Sequence, residues 1–144
     1  MPIKDKKTLT SKGVRMMMDA ALARAAEFSI TVTVAIVDDG GHLLMLERME
    51  GGRFHTVHSS TAKAVTAASN KRPTTTHGAQ GQELDVLHAL GLALAAGPKN
   101  WTAMEGGYPV MVENDCVGGI GVSGGDWKQD EEIARAALGA IGAS

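Results

Sequence analysis

Residues 30–43 read Ile30-Thr31-Val32-Thr33-Val34-Ala35-Ile36-Val37-Asp38-Asp39-Gly40-Gly41-His42-Leu43, and this stretch decides the fold class. Ile30, Val32, Val34 and Ile36 alternate with Thr31, Thr33, Ala35 and Val37, most of them β-branched, so the run predicts a strand. Asp38-Asp39-Gly40-Gly41 supplies residues that tolerate positive φ, which predicts a tight hairpin turn. His42 to Met49 then returns as the partner strand, with a second loop at Glu50-Gly51-Gly52. A hairpin here, rather than a strand followed at once by a crossover helix, points to an antiparallel sheet.

Upstream, Thr10 or Ser11 can cap a first helix, and Val14, Met18, Ala21, Ala25 and Phe28 recur behind it at helical spacing. Downstream, Val57, Thr61, Ala64, Val65 and Ala68 form a second helical stripe, ending before Arg72-Pro73, where proline disfavours helical geometry at the residue ahead of it. Thr74 to Gly81 reads as a loop, and Leu84, Leu87, Leu90 and Leu94 as a third helix closing near Gly97-Pro98. Tyr108 to Glu113 and Cys116 to Ser123 flank an Asn114-Asp115 turn and make a C-terminal hairpin. The last helix starts at a capping box, Asp126 with Gln129, and buries Ile133, Ala137, Leu138 and Ile141. The order is α-β-β-α-α-(β)-β-β-α. It predicts an α/β chain of the α+β kind, a largely antiparallel sheet with helices packed on it.

Length permits one domain spanning 1–144 and not two. With 18 glycines, 8 methionines and only 3% aromatic residues, the core is built from small and aliphatic side chains. Such a core buries modest area per residue, so a homo-oligomer is expected. The net charge of −2 includes no basic stripe, which argues against a nucleic-acid partner. A single cysteine, Cys116, fits a reducing, cytoplasmic compartment and is expected to be a buried, inert thiol. No run of 18 apolar residues or secretory leader is found, so neither a membrane span nor export is expected.

Three features invite a chemical reading. Gly119-Ile120-Gly121-Val122-Ser123-Gly124 matches the dinucleotide pattern G-x-G-x-x-G. That fingerprint belongs to a βαβ unit with an acidic residue about twenty positions on, and this chain has no strand after the last helix. The competing explanation is close approach of a helix or a second subunit to a glycine-rich strand. His55 and His58, flanked by Arg53 and Lys63, would share a face if the second helix starts early enough, but no third ligand lies at a metal-site spacing. Asp38 and Asp39 are explained by turn chemistry.

Several segments in order resemble the GlcG/HbpS family, whose members include haem-binding proteins of the HbpS type and the C-terminal module of some cobalamin adenosyltransferases. They are the strand running into Asp38-Asp39-Gly40-Gly41-His42-Leu43, then Glu47-Arg48-Met49-Glu50-Gly51, then Lys63-Ala64-Val65-Thr66-Ala67-Ala68 and Arg72-Pro73-Thr74. Gly106-Gly107-Tyr108-Pro109-Val110 and Gly118-Gly119-Ile120-Gly121-Val122-Ser123-Gly124 complete the series. The match covers most of residues 9–141. It thins from Thr75 to Asn100, and Glu105 stands where the family pattern has proline. The resemblance implies a profilin-like antiparallel sheet flanked by helices, assembly into oligomers, and a small-molecule ligand such as haem or a related tetrapyrrole. It places the pocket near a subunit interface, with Arg48, Lys63, Arg72, Met104, Glu105 and Tyr108 as candidate ligand-binding residues and the cations pairing with propionates. If the chain is instead an enzyme acting on a small oxygenated acid, His55 or His58 is the general base and Arg72 the carboxylate anchor. A scaffold without ligand is the third reading.

Overall fold

The computed structural model describes residues 2–78 and 80–144. Thr10 caps α1 (Ser11–Glu27), its side chain accepting from the Gly13 amide. The chain then forms the hairpin β1 (Thr33–Asp38) and β2 (Leu43–Arg48), and helices α2 (Thr56–Asn70) and α3 (Val86–Ala96). A second hairpin, β3 (Gly107–Val112) and β4 (Asp115–Ser123), precedes α4 (Trp127–Ala140). The bracketed extra strand does not form among the described residues. Residues 97–106 run as a loop, and the Thr102 amide donates to Thr66 Oγ1 of α2 instead of to a strand.

The sheet is antiparallel throughout, in the order β2-β1-β4-β3, as the paired hairpins predict. Residue alternation along β1 sorts its side chains between two layers. Val34 and Ile36 join Met17, Met18, Ile120 and Ile133 in the main core beneath α1 and α4. Ala35 and Val37 point the other way, against Ala64 and Ala68 of α2. Burying a residue such as Ile36 or Ile133 contributes about 1.5–3 kcal/mol. The first turn folds as expected: Asp38 Oδ1 accepts from the Gly40 and His42 amides at 2.9 Å each, and Gly41 has φ +83°.

The α2 layer explains the glycine pattern. A methyl group built on Gly121 would fall inside van der Waals contact of the Ser60 carbonyl oxygen and 2.7 Å from the Ala64 amide nitrogen. One on Gly119 would strike the Ala64 carbonyl carbon at 3.2 Å. These residues are where a helix backbone rests on a strand backbone, and no dinucleotide fold surrounds them. The buried side of α2 is accordingly small and polar: Thr56, Ser60, Lys63, Ala64, Ala67 and Ala68, while Val57, Thr61 and Val65 of the predicted stripe are only half-buried.

Helix α3 departs furthest from expectation. None of its residues is buried, and Leu87 and Leu94 are 76% and 68% exposed. It lies against no other described helix or strand. Nearly every residue of Val86–Ala96 is apolar, so periodicity could not distinguish an inner face from an outer one. Cys116 is half-buried rather than buried, because β4 begins at Asp115 and the thiol sits at the end of the sheet near the Ala68 and Gly118 carbonyls. No described helix is long and apolar enough to cross a membrane.

Candidate functional site

The first turns of α2, the end of β4, the start of α4 and the Met104–Gly106 loop surround a cleft of about 360 Å³. The close seating of α2 on β4 puts Lys63 beneath it. Its four-carbon stem runs through the small-residue layer, and its ammonium donates to the Val122 carbonyl at 2.7 Å and to Asp130 Oδ2 at 3.3 Å. Both side chains of this ion pair are almost wholly buried, at 6% and 5% exposure. Asp130 follows the capping box in the first turn of α4, and its other oxygen accepts from the Gly125 amide at 2.9 Å.

Burial dominates the titration of this pair, pushing the Lys63 ammonium below its usual range and the Asp130 carboxyl above its own. Their mutual attraction opposes both displacements. At the neighbouring wall, Ser59 donates to Ser123 Oγ at 2.8 Å, fastening α2 to the end of β4. Deeper along the same seam Thr33 and Thr56 hydroxyls lie 2.7 Å apart. Trp127 and Met104, 55% and 48% exposed, supply apolar surface at the mouth.

Glu105 forms a latch on the loop. Its carboxylate accepts from the Thr76 amide at 3.1 Å and the Thr76 hydroxyl at 2.9 Å. Partial burial pushes the carboxyl up, but these bonds, with one from its own backbone and with His77 nearby, outweigh that and hold it below the ordinary 4.5. A lowered carboxyl favours the latched state above the ordinary pKa and stops doing so as the pH falls through the lowered one. The Thr76 amide proton shift is therefore expected to titrate with a midpoint below 4.5. A midpoint at or above that value overturns the latch.

The candidate ligand-binding residues divide among different surfaces. Lys63, Met104, Glu105 and His55 line the cleft together. Arg72 lines a separate cavity beyond the C-terminal end of α2. Arg48 is exposed on β2 at the sheet edge, and Tyr108 is half-buried on β3 with its hydroxyl near Glu131 and Arg135. His55 caps α2 without a side-chain bond to it, and His58 lies exposed in its first turn. A general base at His55 and an anchor at Arg72 thus face different cavities.

Sequence reasoning did not single out Arg53, Ser59, Ser123, Trp127 or Asp130 as parts of one site. The signal available was Lys63 itself, a cation inside an alanine-rich helical run, which needs a buried partner. Nothing in the linear order points to Asp130, 67 residues away.

A family model described as haem degrading protein HbpS-like matches residues 9–139. The chain is 33% identical over 121 residues to Protein GlcG of Escherichia coli K12, covering 84% of this chain and 85% of that one. The structure of Klebsiella pneumoniae ORFY superposes with a TM-score of 0.84 at 30% identity, covering 97% and 94% of the two chains. That of a PduOC–haem complex superposes at 0.82 and 28% identity, covering 96% and 98%.

Proposed function

The chain belongs to the HbpS-like family, and from that premise we propose that it is a haem-binding protein whose site is the cleft between α2, α4 and the Met104–Gly106 loop. The observation that carries the reading is the donor set gathered there. His55 offers an imidazole, Met104 a thioether, Arg53 a guanidinium, and Trp127 a ring face, all on one cleft. These are the groups a porphyrin needs: an axial nitrogen or sulfur donor, a cation for propionate, and apolar walls. The similarity to a protein crystallised with haem supports the same ligand.

The cleft alone is at the lower end of the usual size for a bound cofactor. A second hollow of about 400 Å³ shares Glu105 and Trp127 with it, which widens the surface a flat ligand can cover. Bound haem would supply a redox-active iron, tuned by its axial donor and by the polarity around it. The chain's own residues would divide the remaining work. Arg53 orients the carboxylates, Met104 and Trp127 exclude water, and the Lys63–Asp130 pair holds α2, β4 and α4 in register beneath them. A homo-oligomer belongs to the same reading, because a second copy would cover apolar area that α3 leaves in water.

Titration of the purified chain with haemin tests this. A saturable Soret shift at micromolar protein is expected, weakened about tenfold or more in His55→Ala or Met104→Ala, whichever supplies the axial donor. Absence of a saturable shift overturns haem binding. Unchanged spectra and affinity in both variants overturn the site.

A further inference from the structure

The cavity that Arg72 lines, of about 240 Å³, is bounded by the end of α2, the Arg72–Thr75 segment, α3 and Trp101. It shares no lining residue with the 360 Å³ cleft proposed for haem and meets the adjoining 400 Å³ hollow at Thr75 and His77. At roughly 30 Å³ for each water-sized group it has room for about eight, enough for a small organic ion. Its chemistry is concentrated in a few side chains. Arg72, Asn70 and His88 all face it, and among the described residues none of their side chains forms a hydrogen bond or ion pair. All three are solvent-exposed, so a ligand in the hollow would take them from water rather than from the protein.

The roof is the unusual helix. His88 and Leu92 are one turn apart on α3 and both line the cavity, with Leu84 ahead of them. Since α3 packs closely on no other described helix or strand, a hollow is left between it and the end of α2. On the floor, Thr66 is committed elsewhere: its hydroxyl donates to Ala62 and accepts from the Thr102 amide, which ties the Trp101–Thr102 segment to α2. The backbone next to Trp101 is thereby tied to α2, whereas α3 is held by its flanking loops.

We propose that this cavity binds a small carboxylate of about eight non-hydrogen atoms or fewer, with Arg72 as its anion anchor, Asn70 and His88 reading its hydroxyl or keto oxygen, and α3 closing over it. A guanidinium presents paired donors that match the two oxygens of a carboxylate. The amide and imidazole can each donate or accept, which suits a neighbouring oxygen substituent. Leu84, Leu92 and Trp101 take the short carbon skeleton.

The two tryptophans of the chain separate this site from the haem cleft, since Trp101 lines one and Trp127 the other. In a Trp127→Phe background, tryptophan-selective fluorescence reports on Trp101 alone. Titration with lactate is expected to give a saturable change, with no response to propane-1,2-diol, which has the same skeleton without the carboxylate. Arg72→Ala should weaken lactate binding about tenfold or more at unchanged far-ultraviolet circular dichroism, and Arg72→Lys should recover part of it. No saturable response to lactate overturns the proposal, as does equal affinity in Arg72→Ala. A stronger response to inorganic phosphate than to lactate overturns the carboxylate assignment. None of these outcomes depends on haem binding.

Discussion

Replacing Gly121 by valine is expected to cost about 3 kcal/mol or more of folding stability, a large part of the roughly 5–15 kcal/mol a domain possesses. The obstacle to the new side chain is not another side chain that can turn aside. It is the α2 backbone, at the Ser60 carbonyl and the Ala64 amide nitrogen. Helix α2 would have to lift off β4, and with it would go the seating of Lys63 over Val122 and the Ser59–Ser123 bond. Gly121→Ala should act in the same direction and less strongly. Gly139→Ala is the control. A Cβ there meets nothing, the position is exposed in the last turn of α4, and the substitution should stabilise slightly, by about 0.5 kcal/mol or less. Urea unfolding with an unchanged dependence on denaturant measures all three. A Gly121→Val protein as stable as the parent would show that α2 does not rest on the strand.

Lys63→Met is expected to cost about 3–5 kcal/mol at neutral pH, because it strands the buried Asp130 carboxylate without its cation. The pH dependence identifies the cause. Burial already holds the Asp130 carboxyl above its usual value of 3.8, and Lys63 is what pulls it back down. Without Lys63 it rises further. A carboxyl raised by folding favours the native state fully below its unfolded value and loses that contribution as pH rises through the folded one. The deficit of Lys63→Met should therefore grow as pH rises from about 4 towards neutrality. In Lys63→Met/Asp130→Asn this growth should vanish, since the amide carries no charge and its oxygen still accepts from Gly125. The double variant should also be more stable than the single at neutral pH, because no unpaired buried charge remains. A deficit independent of pH would mean that lost packing of the lysine stem, rather than an unpaired charge, dominates.

These two sites mark the boundary of what could be read from the chain. Strand β1, the Asp38–Gly41 turn and the Asp126–Gln129 capping box were legible because each is decided within a few residues, by β-branching, positive φ or orphan amides at a helix start. The buried side of α2 was not. Thr56, Ser60 and Lys63 are polar, and a search for apolar spacing passes over a helix whose packing depends on smallness. For α3 the opposite holds: a uniformly apolar helix carries no sign of which side is covered, or of whether any side is.

The candidate site divides in the same way. Its residue types, a lysine and histidines near α2 and a methionine and glutamate before β3, stood out in the sequence. That Lys63, His55, Met104 and Glu105 share one cleft while Arg72 faces another cavity did not. What the sequence by itself determined is an antiparallel sheet of two hairpins, four amphipathic or apolar helical segments, and strand glycines able to accept a close neighbour, because these are properties of local geometry and periodicity. Only the tertiary structure decided that the neighbour is α2, that Lys63 finds its counter-charge in Asp130, and that His55 and Arg72 lie on different cavities. Those outcomes depend on where distant segments meet, and a side chain's partner across 67 residues is set by the packing of whole layers rather than by anything adjacent to it in the chain.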